Sequence, residues 1–264
     1  MAIPIAAPSW RRYAIEWAAA LAVASQEMSF LEHLDELRRR LIWSVACIAV
    51  TFGVCCFFAS DLYEMAIAPI STQSGATLAI ARPQDIVPLY VKVILVPAIF
   101  LAAPFVLAQA WLFISPGLYP HERKYAIPFV LSATALFVIG GAFGYFIALP
   151  AALGFLIDWI VASHLVAMID VGEYFNLFFT VIVALGIVFQ IPAVMFVLSR
   201  IGIVDTRFLL RNAKYAVLGS VVIAAIITPT SDPWNMLLIA GPMILLYGVG
   251  IAIAWMFGRK RQPI

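Results

Sequence analysis

Arg38-Arg39-Arg40-Leu41-Ile42-Trp43-Ser44-Val45-Ala46-Cys47-Ile48-Ala49-Val50-Thr51-Phe52-Gly53-Val54-Cys55-Cys56-Phe57-Phe58-Ala59 sets three guanidiniums against a long run without a charge. As a helix, Leu41–Ala59 reaches across a hydrocarbon core of about 30 Å. Five further stretches read the same way: Leu89–Ile114, Ala126–Ala148, Phe175–Ser199, Tyr215–Thr228 and Trp234–Met256. Lys and Arg in short loops collect on the cytoplasmic side and set orientation. Threading six crossings from a cytoplasmic N-terminus puts every Lys and Arg inside except Arg82 and Lys92. The expected fold is an all-α polytopic membrane protein of six transmembrane helices, with both termini cytoplasmic.

Composition agrees. Hydrophobic residues make up 64% and charged residues 11% of the 264 residues, against roughly half and a quarter in soluble domains. The net charge of +2 reflects loop bias, and no basic cluster interleaved with aromatics suggests nucleic acid. Cys47, Cys55 and Cys56 all fall in the first span, an odd set without metal-ligand spacing. Nothing in the chain calls for a metal or another cofactor. Tyr215–Thr228 is shorter than the roughly 17 residues usually needed to cross. Were it re-entrant, Arg259, Lys260 and Arg261 would lie outside, so the charges favour keeping it as a short fifth crossing of six. Pro97, Pro104, Pro128, Pro192 and Pro242 fall within spans. Each removes a backbone hydrogen bond, predicting kinked helices in a curved bundle.

Three segments organise the chain. Residues 1–27 hold Ser9-Trp10-Arg11-Arg12 before an apolar stretch, but Glu16 interrupts it and no clean small-residue cleavage site follows. They read as an extension or a start placed too early. Residues 28–258 form the six-span domain, and residues 259–264 a basic cytoplasmic tail. Ser60–Pro88 and Leu149–Tyr174 read as long outside loops, the second carrying Asp158, Asp170 and Glu173 without a cation. Loops of that length tend to be functional.

From Met28 the chain reads Met-Ser-Phe-Leu-Glu-His-Leu-Asp-Glu-Leu-Arg-Arg-Arg-Leu. Phe30, Leu34, Leu37 and Leu41 recur at helical spacing, predicting an amphipathic helix that enters the first span. Ser29 and Glu32 have capping-box spacing. Glu36 with Arg40 and Asp35 with Arg39 are i,i+4 pairs worth tenths of a kcal/mol. The competing reading leaves Glu36 available at the membrane surface to an external cation.

The run Phe30 to Arg40 resembles the opening signature of the TatC family, the receptor subunit of the twin-arginine translocase. The resemblance continues in order: Ala68-Pro69 after the first span, Pro104, the run from Gln109 through Pro116-Gly117-Leu118-Tyr119-Pro120-His121-Glu122-Arg123, then Phe189-Gln190-Ile191-Pro192 and Thr228-Pro229. It covers about residues 28–258. It implies export of folded proteins with Arg-Arg signal peptides, driven by the proton-motive force and nucleated by this receptor. Implied partners are the single-span TatA and TatB subunits, other TatC copies, the signal peptides and membrane lipid. Two adjacent guanidiniums are best met by carboxylates in bidentate geometry. Glu36 and Glu122 match the family's signal-binding glutamates, with Glu32 and Asp35 as helpers. Arg38 and Arg123 match positions expected to hold those carboxylates, and Pro69 is a further supporting position.

Within the spans, Gln190 stands where TatC relatives often carry Glu. An amide there still hydrogen-bonds across helices at about 0.6–2 kcal/mol, so docking of a partner's polar group is retained while a titratable role is not. Asp232 reads as an outside contact or helix cap, Gln109 and Trp111 as inner-interface packing with Gln109 a docking candidate, and Lys92 as a snorkelling cation. A secondary transporter of a small solute is the rival reading, but it predicts charged or broken helices at the midplane. An intramembrane protease would need a Ser/His or paired-Asp site in the spans, and His33, His121 and His164 fall outside them. An ATP-driven subunit finds no phosphate-binding loop here.

Overall fold

The computed structural model describes residues 30–71, 76–80, 82–114, 126–164, 167–228 and 232–257. The chain divides into two units, Met1–Trp43 and Ser44–Ile264. Helix α1 (Phe30–Cys56) begins in the first and continues into the second. Then follow α2 (Ala59–Ser71), strand β1 (Ala76–Ala79), a 3-10 turn (Pro83–Asp85) leading into α3 (Ile86–Ile114), and α4 (Ala126–Phe143). A π-type turn (Gly144–Ala148) joins α4 to α5 (Leu149–Ala162), followed by β2 (Ala167–Asp170), α6 (Val171–Val188), α7 (Ile191–Ile201), the short α8 (Thr206–Arg211), α9 (Ala213–Ile227) and α10 (Pro233–Phe257).

Five helical runs are long and apolar enough to cross a membrane: Glu32–Cys56, Pro83–Ile114, Ala126–Ala162, Val171–Ile201 and Pro233–Met256. The remaining apolar helix, Ala213–Ile227, has 15 residues, about 22 Å at 1.5 Å per residue. To cross, a helix so short would need local bilayer thinning or a matching short partner. The six apolar segments anticipated from composition are therefore all helical.

Several boundaries differ from expectation. The first span ends at Cys56 rather than Ala59, and a turn at Phe57 and Phe58 starts a separate helix, α2, in what read as a loop. The third does not end at Ala148. Its helical run extends over 37 residues to Ala162, about 55 Å, more than a 30 Å hydrocarbon layer holds even at steep tilt. Pro150, placed in the first turn of α5, breaks the i→i−4 ladder. The π-type turn absorbs it, with Leu149 N–H donating to the Gly144 carbonyl. The fourth span is broken at Phe189 and Gln190, just before Pro192 in the first turn of α7. Pro97, Pro104 and Pro242 lie inside helices. Pro128 is the third residue of α4, where its missing N–H has no intrahelical partner to lose, so it does not kink that helix.

The two supposed loops are joined. β1 pairs in parallel with β2, Ala76 opposite Ala167 and Ala79 opposite Asp170. This ladder ties the segment after the first span to the segment after the third, so both lie on one side of the helices, as alternating crossings require.

The core of the second unit is the set of buried faces on α3, α5, α6 and α10, with Val93, Leu149, Leu153, Phe175, Leu185 and Met243 almost fully enclosed. Membrane helices gain little from burying apolar surface and depend on close packing. Gly140 shows how close: a Cβ there would stand 2.6 Å from the Leu185 carbonyl oxygen, so α4 and α6 touch backbone to backbone. At Gly141 a Cβ would fall 2.1 Å from the tip of the Phe100 ring.

Candidate functional site

The first unit presents the carboxylates singled out in the sequence. Glu32, His33, Asp35, Glu36 and the Arg38-Arg39-Arg40 run lie on the first turns of α1, ahead of its apolar portion. Arg40 Nη2 donates to Glu36 Oε1 at 3.0 Å, with side-chain exposures of 28% and 22%. That i,i+4 pair is weak and uses one carboxylate oxygen. Among the described residues, Glu36 makes no other hydrogen bond, and Asp35 and Arg39 do not pair although their spacing allows it. Asp35, Arg38 and Arg39 are exposed. Glu122 and Arg123 lie outside the described residues.

The second unit holds the intramembrane candidates. At the break between α6 and α7, Gln190 Nε2 donates to the Ala133 carbonyl of α4 at 3.0 Å. Its Oε1 is buried without a hydrogen bond, and so is the hydroxyl of Thr134, the residue after that acceptor. Buried polar groups are nearly always paired, so two orphan oxygens here are two open places for a donor. The helix break explains the exposure of this polarity: Pro192 cannot donate to the Val188 carbonyl, and the chain turns through Phe189 and Gln190.

Asp232 is a helix cap. Its Oδ2 accepts from Asn235 N–H at 2.8 Å and its Oδ1 from Asn235 Nδ2 at 3.1 Å, satisfying the start of α10. Gln109 is half-buried on α3. Trp111 is buried against Phe129, ring centroids 4.6 Å apart, as packing would have it. Lys92 donates to Asn176 Oδ1, linking α3 to α6.

Pro69 is buried inside α2 rather than in a loop. It cannot donate to the Met65 carbonyl four residues back. Tyr145 supplies the missing donor, its hydroxyl bonding the Met65 carbonyl at 2.7 Å, and the Tyr174 hydroxyl bonds the neighbouring Ala66 carbonyl at 2.5 Å. Tyr63 on α2 stacks on Tyr90 of α3 and Phe175 of α6, centroids 5.5 and 5.8 Å away. Sequence reading passed over both hydroxyls. The available signal was a proline in a short apolar helix, whose freed carbonyl demands a donor somewhere in the chain.

Among the described residues no group of three or more His, Cys, Asp or Glu could hold a metal ion. Cys55 is buried, Cys47 half-buried and Cys56 exposed, all as free thiols.

Comparison with known proteins draws these features together. The family described as Sec-independent protein translocase protein (TatC) matches residues 32–242. The chain is 45% identical to the Sec-independent protein translocase protein TatC of Koribacter versatilis over 245 residues, covering 90% of this chain and 89% of that one. It is 36% identical to the TatC protein of Deinococcus radiodurans, covering 86% and 85%, and 35% identical to that of Aquifex aeolicus, covering 90% and 99%. A crystal structure of the twin arginine translocase receptor TatC superposes with a TM-score of 0.76 at 34% identity, over 86% of this chain and all of that one. With six apolar helices and this likeness along nearly its whole length, the chain belongs to the TatC family, the multi-pass membrane component of the Sec-independent protein translocase.

Proposed function

We propose that this chain receives the Arg-Arg motif of twin-arginine signal peptides on a carboxylate pair, Glu36 and Glu122, and so starts the export of folded proteins. The observation that carries the reading is the state of Glu36. It stands on an exposed helical turn next to the apolar part of α1, held by one weak intrahelical ion pair, with its second oxygen open. An incoming guanidinium displaces little and gains a charge-assisted, bidentate contact. Arg40 bonds Glu36 from within the helix, so it orients the carboxylate while competing only weakly for it. Glu32 and Asp35 extend the acidic face, and Arg38 and Arg123 position it.

The remaining assignments rest on the same resemblance. The cation bias supports N- and C-termini on the cytoplasmic side of a cell inner membrane, the side on which Glu36 would meet arriving substrates. Single-span TatA- and TatB-like subunits and further copies of this chain are the partners. Gln190, with its open carbonyl oxygen in the membrane, is the proposed docking point for a donor on a partner helix, with Gln109 and Asp232 as outlying contacts. Six helices, one of only 15 residues, supply no enclosed path for a folded protein, which makes those partners necessary.

The test is site-specific crosslinking of a twin-arginine signal peptide at positions beside Glu36 and Glu122, with Arg-Arg and Lys-Lys signals. Adducts that need Arg-Arg and vanish in the Glu36→Gln/Glu122→Gln protein are expected. Adducts indifferent to both changes, in folded protein, overturn the carboxylate mechanism.

A further inference from the structure

Arg11 and Arg12 have no part in the reception of a substrate signal described above. They follow Ser9-Trp10 and precede Tyr13-Ala14-Ile15-Glu16 and an apolar stretch to Ala24. Adjacent guanidiniums ahead of an apolar run are the chemistry proposed for the ligand of Glu36. No other Lys or Arg occurs before Arg38. The chain thus carries, upstream of its own receptor carboxylate, one match to the ligand of that carboxylate.

The connection is long enough for the two to meet. Residues 13–29 separate Arg12 from Phe30, the start of α1. That length of chain spans about 58 Å fully extended or about 26 Å as a helix. Glu36 stands only about 9 Å along α1 from Phe30, so either length brings the pair back to it once the chain reverses. A ligand on the same chain is presented at an effective concentration on the order of millimolar. Glu36 offers it a carboxylate oxygen that no described residue bonds. Glu16 separates this segment from a substrate: a carboxylate four residues past the arginines is costly in hydrocarbon, and no clean small-residue cleavage site follows. The segment has the cationic part of a signal peptide without the uninterrupted apolar part that enters the membrane.

We propose that Arg11-Arg12 occupies Glu36 in the resting chain as an internal competitor, which a substrate's signal peptide must displace. The inference rests on the Arg-Arg reading of Glu36 and adds a regulator to that same site. The internal contact is a charge-assisted guanidinium–carboxylate bond of the kind the substrate makes, so the two exclude each other. The consequence is a threshold. Signal peptides whose apolar run adds binding in the membrane displace the segment, whereas stray Arg-Arg pairs on other polypeptides do not.

The purified full chain is titrated with a fluorescent twin-arginine signal peptide. Arg11→Gln/Arg12→Gln should tighten the apparent Kd at least fivefold, to the same extent at every protein concentration. In a Glu36→Gln background the same double substitution should change the Kd less than twofold. A photoreactive residue in place of Tyr13 should crosslink within the chain to residues 32–40, and adding the Arg-Arg peptide, but not its Lys-Lys version, should suppress the adduct. Equal affinity with and without Arg11 and Arg12, for a peptide that still needs Arg-Arg and Glu36, overturns the internal competitor and leaves the receptor reading standing. A tightening that depends on protein concentration also overturns it, since the contact then lies between copies. A peptide that binds equally well to Glu36→Gln overturns the receptor reading and this inference together.

Discussion

Glu36 and Gln190 are polar groups in opposite circumstances. Glu36 stands on an exposed helical turn in a weak ion pair with a near neighbour. Gln190 sits at a helix break, one end bonded to a backbone carbonyl on another helix and the other end buried and open. Water meets most needs of the first, so its partner can be exchanged at small cost. Nothing near the second substitutes for a partner, so it adds little to the free chain and much to a complex that brings a donor. Reception of a transient, diffusing ligand suits the former arrangement, and lasting assembly within the membrane the latter.

The sharpest way to break this comparison is to create unmet acceptors where none exist. Tyr145→Phe with Tyr174→Phe removes two donors from the Met65 and Ala66 carbonyls. The pair should cost about 1–3 kcal/mol, read as faster hydrogen exchange across residues 59–71 with the exchange of α10 unchanged. At Gln190, Gln190→Leu discards a bonded amide nitrogen together with an unbonded oxygen. Stability of the isolated chain should move by less than about 1 kcal/mol, while recovery of a co-expressed single-span subunit falls severalfold. Equal recovery would remove Gln190 from the docking role. Asp232→Ala loses a cap and should cost about 1 kcal/mol, seen as a lower thermal transition, whereas Asp232→Asn should restore most of it. Arg40→Gln is the smallest: a change of about 0.3–0.5 kcal/mol in stability, with signal-peptide affinity unchanged or slightly improved as Glu36 loses its competitor.

The same contrast separates what was legible in the sequence from what was not. The apolar runs and the helical spacing of Phe30, Leu34, Leu37 and Leu41 depend on residues a few positions apart, and the six helices appear where those patterns put them. The i,i+4 pair of Glu36 and Arg40 was legible for that reason. The segments after the first and third spans were misread as loops because their order comes from distant residues. α2 is held by hydroxyls 80 and 108 positions along the chain, and β1 acquires its strand only by pairing with residues 167–170. A proline at position 69 argues locally against a helix, and tertiary donors override it. The break at Gln190 was half legible: Pro192 announced a defect, but the bond to Ala133 and the orphan Thr134 hydroxyl needed the fold.

The central claim is that Glu36 contacts a signal-peptide arginine directly, and a double-mutant cycle tests it. Binding of a twin-arginine signal peptide and of its single Arg→Gln variants would be titrated by fluorescence against the unaltered protein and Glu36→Gln. Direct pairing predicts that one arginine couples to Glu36 by about 1.5 kcal/mol or more, so that its loss is nearly silent once Glu36 is gone. Additivity within about 0.5 kcal/mol for both arginines would contradict the account and place the recognition elsewhere on the chain.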